Sequence, residues 1–110
     1  MLKFWKSDRE KFEEEMSKAF DARNKGKVDE AIEHFMKAYE IATKSKEEEL
    51  RGIANLPLSY ALVYKALSTG GHKDIEEARK AVSSLPAESE LDLALPKKVK
   101  AGELAEDLKY

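Results

Sequence analysis

Residues 26–42 carry the feature that most constrains how this chain can fold. A turn glycine, Gly26, precedes a stretch in which small and large apolar residues recur at steps of three and four. These residues are Val28, Ala31, Ile32, Phe35, Ala38, Tyr39 and Ala42. That spacing places them on one face of a helix. Because the alanines let a neighbouring helix approach and the aromatic rings fill the space beside them, the pattern predicts a closely packed helical hairpin.

Signals before and after this stretch define the two helices of the hairpin. Ser7 and Glu10 have the spacing of a capping box, in which a hydroxyl and a carboxylate bind main-chain N–H groups at a helix start. They predict a first helix over residues 8–24, which ends where Gly26 can adopt the left-handed conformation. The second helix is then expected over residues 28–43.

Two further helices are predicted after the hairpin. Ser45 and Glu48 form a second capping-box pattern and open a third helix over residues 46–69. Pro57 lies inside this segment, where it removes a main-chain hydrogen bond, so we expect a kinked helix, with two shorter helices as the alternative. Asp74 is expected to cap the fourth helix, which Pro86 prevents from continuing.

The last 24 residues have a different pattern. Leu91, Leu93 and Leu95 alternate with other residues in the period of a β-strand. An isolated strand would have no partner in a helical chain, so we expect an extended tail that packs its leucines on the bundle or on a second copy. Residues 102–110 could add one weak helix. The predicted domains are a helical domain over 1–86 and a C-terminal extension over 87–110.

Composition narrows the functional classes. Among 110 residues, 20 basic and 22 acidic side chains give a net charge of −2, which supplies no general attraction to nucleic acid or to anionic membranes. No apolar run approaches the roughly 20 residues of a membrane span, and the N-terminus lacks the apolar stretch of a signal peptide, so a cytoplasmic protein is expected. The absence of Cys and Gln resembles hyperthermophile composition, although ordinary helix-rich bias has a similar effect.

Residues 19–42 also resemble the tetratricopeptide repeat, a helical hairpin of about 34 residues. The positions that match its pattern of glycine, large, small, aromatic and small residues are Gly26, Val28, Ala31, Phe35 and Ala38, with Ala19 on the preceding helix. Ile75, Ala78 and Val82 form a weaker second match. The resemblance implies an all-α fold, a right-handed helical-hairpin bundle of four to five helices, with protein–protein interaction as its function.

The chain departs from that family in its spacing. Ala78 follows Ala31 by 47 residues, and Glu15 lies close to where the first helix of the family has an aromatic residue. Two repeats are also fewer than the three or so that such stacks usually need. The exposed face of the last hairpin therefore requires a cover, either the C-terminal leucines or a second chain, and this shortage favours a homodimer.

Family members bind peptides along the groove lined by the first helix of each hairpin, and some clamp a C-terminal carboxylate there. The groove positions that the resemblance implies, with Tyr60 added from the third helix, are Glu13, Met16, Phe20, Arg23, Asn24 and Tyr60. Because Met16 and Phe20 stand where the clamp needs Lys and Asn, the resemblance implies an apolar groove for a hydrophobic peptide or helix. The plainer interpretation is that Met16 and Phe20 belong to the core.

Other candidate sites are better explained by structure. His34 follows Glu30 by four residues, a spacing that suits a metal ion, but two ligands do not form a site, and an exposed surface histidine is expected. His72 is expected in a loop. Trp5 could anchor a partner but is expected to pack beside the first helix together with Leu2 and Phe4. Lys97, Lys98 and Lys100 are expected to be solvated.

We therefore expect a small adaptor or scaffold that binds a protein or peptide, with no catalytic residues, cofactor or metal. A first alternative is a three-helix bundle like the microtubule-interacting-and-trafficking domains, which a long third helix without a fourth packing partner would favour. A second alternative is a helical subunit of a nuclease or hydrolase. Convergent ionisable groups near His34 or His72 would favour that alternative.

Overall fold

The structure is a computed structural model that describes residues 6–93 and 99–108. Its elements are α1 (Asp8–Asn24), α2 (Val28–Lys44), α3 (Glu48–Gly52), α4 (Asn55–Thr69), α5 (His72–Ser83), β1 (Glu90–Leu91), β2 (Val99–Lys100) and α6 (Ala101–Asp107). The all-α class is confirmed, with four long helices packed as a bundle. The expectations for Leu2, Phe4, Trp5, Leu95, Lys97 and Lys98 fall outside the described residues.

The α1–α2 hairpin has the expected limits. Ser7 Oγ accepts from the Glu10 N–H, and the Glu10 carboxylate accepts from the Ser7 N–H, so the capping box is confirmed. Gly26 has φ of 79°, the left-handed conformation that ends α1. The helices are antiparallel: Ser45, just after α2, donates to Asp8 at the start of α1 at 2.9 Å.

The prediction of one kinked third helix is wrong, because the chain has two helices there, which was the alternative. The break falls at Ile53 and Ala54, between α3 and α4, and Pro57 is the third residue of α4. An N–H in the first turn of a helix has no intrahelical acceptor, so proline is tolerated there. The predicted capping box is also wrong. Glu47 is the N-cap of α3, and Ser45 Oγ accepts from the Glu47 N–H and not from Glu48.

The fourth predicted helix starts earlier than expected. Helix α5 begins at His72 with Gly71 as its N-cap, so the cap assigned to Asp74 and the loop position assigned to His72 are both wrong. The Asp74 carboxylate instead accepts from Thr69 Oγ1 at 2.5 Å and lies 3.7 Å from Lys65 Nζ. These contacts connect the start of α5 to α4 and hold the second hairpin at its turn.

The C-terminal residues form a small hairpin that the sequence did not predict. β1 pairs antiparallel with β2, so the expectation that a strand here would have no partner is wrong. The pairing continues beyond the strands, since the Ala101 N–H donates to the Ser89 carbonyl at 2.7 Å and the Gly102 N–H to the Ala87 carbonyl at 3.0 Å. Helix α6 then packs on α5. The second hairpin is thus covered within the chain.

Two apolar clusters hold the bundle together. The smaller one joins α1 and α2 to α3 and consists of Phe12, Ala38, Ala42, Leu50 and Ala54. The larger one centres on Phe35 of α2, which is fully buried, and on the buried face of α4. Leu91 and Leu93 belong to this larger cluster, and Leu104, Ala105 and Leu108 pack against it. The expected inward face of the last helix is therefore confirmed.

Candidate functional site

The six residues expected to line a groove have different environments. Glu13 and Asn24 are exposed on α1, and Met16 and Phe20 are half-buried against the larger cluster. The Arg23 side chain is only 10% exposed. Tyr60, on α4, is 4% exposed and therefore belongs to the core, apart from the contact of its hydroxyl described below. We refer to the surface formed by Met16, Phe20 and Arg23 of α1 with Tyr60 and Tyr64 of α4 as the α1–α4 groove.

The floor of the α1–α4 groove is a group of four aromatic rings. Phe35 stacks on Tyr60 with ring centroids 4.9 Å apart and an interplanar angle of 8°. Phe20 meets both rings edge-on, with centroids 5.2 Å from each. Tyr64 continues the stack at 6.0 Å from Phe35. Stacked and edge-on pairs add stability beyond their buried area, so the position of Phe20 is fixed although it is only half-buried.

Arg23 lies at the centre of the polar contacts of the groove. Its guanidinium carbon is 4.8 Å from the Phe20 ring centroid, a cation–π distance. Its Nε and Nη2 donate to Asn24 Oδ1 at 3.1 and 2.8 Å, which orients the planar group. Nη1 reaches Tyr64 Oη at 3.4 Å and also donates to the main-chain carbonyl oxygen of Asp92. A side chain of α1 therefore holds the main chain of the C-terminal region.

Residues 91–93, which we call the docked segment, lie against the groove. The Asp92 N–H donates to Tyr60 Oη at 2.7 Å, while the Asp92 carbonyl accepts from Arg23. The two helix side chains thus bind both hydrogen-bonding groups of one residue, as a neighbouring strand would. Leu91 is fully buried and Leu93 is 8% exposed, whereas the Asp92 side chain is 51% exposed. The docked segment is held by its main chain, by two leucines and by an ion pair between the Asp92 carboxylate and Arg23 Nη1 at 3.8 Å.

The electrostatics of the groove keep both tyrosines protonated. Burial raises the pKa of Tyr60 above its ordinary value, and the hydrogen bond from the Asp92 N–H opposes part of that rise. Burial likewise raises the pKa of Tyr64, opposed by its hydrogen bond with Arg23. Neutral hydroxyls can accept from an N–H and donate elsewhere, so these groups suit main-chain recognition.

His34 is not the exposed histidine that the sequence predicted. Its side chain is 22% exposed, and its Nδ1 is 2.6 Å from Glu15 Oε1 on α1. The carboxylate that it contacts is therefore Glu15 and not Glu30, the residue with the metal-binding spacing. Within residues 6–93 and 99–108, no three His, Asp or Glu side chains come close enough together to hold a metal ion.

The sequence did not predict the most informative contacts, those of the docked segment. The alternating leucines correctly indicated an extended segment packed on the bundle. Its position depends on the main chain of Asp92, which Tyr60 and Arg23 bind, and Asp92 has no distinctive local pattern. One local signal could have indicated a main-chain contact here. It is the pair Arg23 and Asn24 at the end of a helix, beside aromatic rings.

No protein-family model, curated protein or solved structure matches this chain. None of the helices in the described parts of the chain is both long and apolar enough to cross a membrane.

Proposed function

We propose that this protein is a small, non-catalytic interaction module, an adaptor or scaffold, that binds a peptide segment of another protein in the α1–α4 groove. The observation that carries the proposal is the docked segment. Tyr60 and Arg23 bind the main chain of Asp92, and apolar residues surround the flanking leucines. Peptide-binding surfaces use this division, in which main-chain hydrogen bonds contribute affinity and side-chain pockets contribute specificity.

The location of the groove supports the proposal. Glu13, Met16 and Phe20 follow one another at steps of three and four, so they share one side of α1, and that side continues to Arg23. Glu13 is exposed at one end of this line. The α1 side of the groove, extended to Glu13, thus has an apolar middle with a charged residue at each end, the arrangement typical of interaction surfaces.

Site-specific photo-crosslinking in the source cells tests this proposal. A photoreactive amino acid at Glu13 should produce a defined crosslinked product with a partner protein. The matched control places the same amino acid at Asp21, which is exposed on a different face of the same helix. A product of equal yield from Asp21, or no product from Glu13, would contradict the proposed surface.

The trafficking-domain alternative is not favoured by the packing. It required a long third helix with no separate fourth packing partner. The region instead contains α3 and α4, and α5 packs on α4. This packing favours two helical hairpins over a three-helix bundle.

One observation favours the hydrolytic alternative as a second candidate function. Glu15 Oε1 is 2.6 Å from His34 Nδ1. His34 lies in a shallow depression whose lining includes Lys18, Lys25 and Lys27 together with Asp21 and Glu30. A carboxylate-bound imidazole can act as a general base, and lysines can bind phosphate. His34→Ala, compared with His72→Ala, tests this candidate. Phosphodiester hydrolysis that is lost only in His34→Ala would support it, and equal activity in both variants would refute it.

A further inference from the structure

The α1–α4 groove already holds a peptide, and that peptide is part of the same chain. The docked segment combines two buried leucines, at positions 91 and 93, with an exposed Asp92 side chain between them. The main chain of the central residue is bound to Tyr60 and Arg23, and its carboxylate lies 3.8 Å from Arg23 Nη1. The groove therefore selects an extended conformation with large apolar side chains two residues apart, and Arg23 lies beside the side chain between them.

We propose that the partner segment is an extended peptide with leucine-like residues two positions apart, and that residues 91–93 are its intramolecular competitor. This inference rests on the proposed function, since it names the ligand class of the same groove. The partner segment would replace the docked segment, its central N–H donating to Tyr60 Oη and its central carbonyl accepting from Arg23. The C-terminal region then acts as an autoinhibitory cover that a matching peptide displaces.

The way the docked segment is anchored favours displacement by a peptide over exchange with a second copy. Glu90 and Leu91 pair with β2, and the ladder continues through Ser89 and Ala101. Helix α6 in turn packs on α5 of the same chain. Exchange between copies would require this whole unit to detach, whereas a competing peptide must break only the groove contacts of residues 92 and 93 and displace the Leu91 side chain.

The intramolecular segment lowers the apparent affinity for any added peptide. A tethered segment competes at an effective concentration that reaches the millimolar range for short connections. If it leaves the groove open about a tenth of the time or less, the apparent dissociation constant of a peptide rises about tenfold or more. Releasing the segment should therefore increase peptide binding by at least this factor.

The test uses the full chain and a labelled peptide with the sequence of residues 88–94, Glu-Ser-Glu-Leu-Asp-Leu-Ala. Asp92→Pro removes the N–H that donates to Tyr60, and Leu93→Asp disfavours its burial, so the double variant releases the segment. Fluorescence anisotropy should show peptide binding at least about tenfold tighter than to the unmodified protein. Glu90→Gln is the matched control, because its exposed side chain is in β1 and leaves both main-chain contacts intact.

Two further comparisons make the result specific. A peptide with both leucines changed to alanine should bind about tenfold more weakly or worse, because each leucine is lost from an apolar site. Adding Tyr60→Phe to the released variant should weaken binding by roughly 2- to 12-fold, the effect of one hydrogen bond. A folded released variant that binds the peptide no tighter than the unmodified protein would overturn the inference, as would equal binding of the alanine peptide.

A second measurement applies if the released variant does not fold. In the unmodified protein, about 1 mM peptide should shift the NMR signal of the Asp92 amide as the segment leaves the groove. An unchanged Asp92 signal at that concentration would overturn the inference. A released variant that forms a dimer by exchanging residues 87–108 would overturn it as well, because the occupant would then be a second copy.

Failure of this inference is distinguishable from failure of the proposed function. The photo-crosslink from Glu13 reports partner binding whatever the role of residues 91–93. If the crosslink yield is the same in the unmodified protein and the released variant, residues 91–93 do not compete with the partner, while the interaction function stands. A yield that rises in the released variant would support both.

Discussion

Removing the Tyr60 hydroxyl should destabilise the protein by a predictable amount. Tyr60→Phe keeps the ring that stacks on Phe35 at 4.9 Å and removes the acceptor of the Asp92 N–H, which is 2.7 Å away. A net hydrogen bond contributes about 0.5–1.5 kcal/mol, and an N–H left buried without a partner costs about 1–3 kcal/mol. Because the Asp92 side chain is 51% exposed, we expect water to replace the lost acceptor in part, and the free energy of unfolding to fall by about 1–2 kcal/mol.

Tyr64→Phe is the matched control for this prediction. Its hydroxyl is 3.4 Å from Arg23 Nη1, beyond the usual range of a strong hydrogen bond, so its removal should cost less than about 0.5 kcal/mol. Urea unfolding followed by circular dichroism measures the free energy of unfolding of both variants. In a thermal melt, the Tyr60 variant should have a Tm about 4–8 °C lower for each kcal/mol lost. Combining Tyr60→Phe with Asp92→Pro should cost much less than the sum of the two separate losses, because both substitutions remove the same hydrogen bond, from the Asp92 N–H to Tyr60 Oη. Equal losses for the two tyrosines, or strict additivity with Asp92→Pro, would refute the reasoning.

Three further predictions concern the bundle and its pH dependence. Leu50→Ala should lower the free energy of unfolding by about 2–5 kcal/mol, because Leu50 is fully buried, whereas Leu67→Ala, 71% exposed, should change it by less than about 0.5 kcal/mol in the same urea titration. Gly26→Ala should destabilise by about 1 kcal/mol because φ is 79°, while Gly52→Ala, with open space around it, should be neutral or slightly stabilising by thermal melting. Because burial raises the pKa of Tyr60, the folded chain keeps the hydroxyl proton above pH ~10, where the unfolded chain loses it. The stability that comes from this proton is therefore complete below pH ~10 and is lost as the pH rises through the pKa of the folded state. Urea unfolding between pH ~9 and ~11 should therefore show a decline that Tyr60→Phe makes shallower, by at most about 1.4 kcal/mol per pH unit; an unchanged decline would contradict the burial effect.

The α1–α2 hairpin could be predicted because its signals are local. The capping box at Ser7, the left-handed turn at Gly26 and the helical period of α2 each depend on residues a few positions apart. The start of helix α4 was harder to predict from the sequence. A proline inside an apolar helical pattern is compatible with a kink or with a helix start, and only the tertiary packing that buries Pro57 decides between them.

The candidate site could be predicted only in part, since its partners are distant in sequence. Arg23 was among the groove positions that the tetratricopeptide resemblance implies, and Tyr60 was added to them from the third predicted helix. The segment that they bind is 69 residues after Arg23 and 32 after Tyr60, and nothing local indicates that pairing. The same limit applies to β1 and β2, whose short strands lack the length from which a partner could be inferred.

We propose that the α1–α4 groove binds an extended peptide in the place of residues 91–93. Intermolecular nuclear Overhauser effects between the leucine methyl groups of the 88–94 peptide and the released variant test it most directly. We expect contacts from those methyl groups to the ring protons of Phe20 and Tyr60. Contacts confined to another surface, such as the one around exposed Leu67, would contradict it.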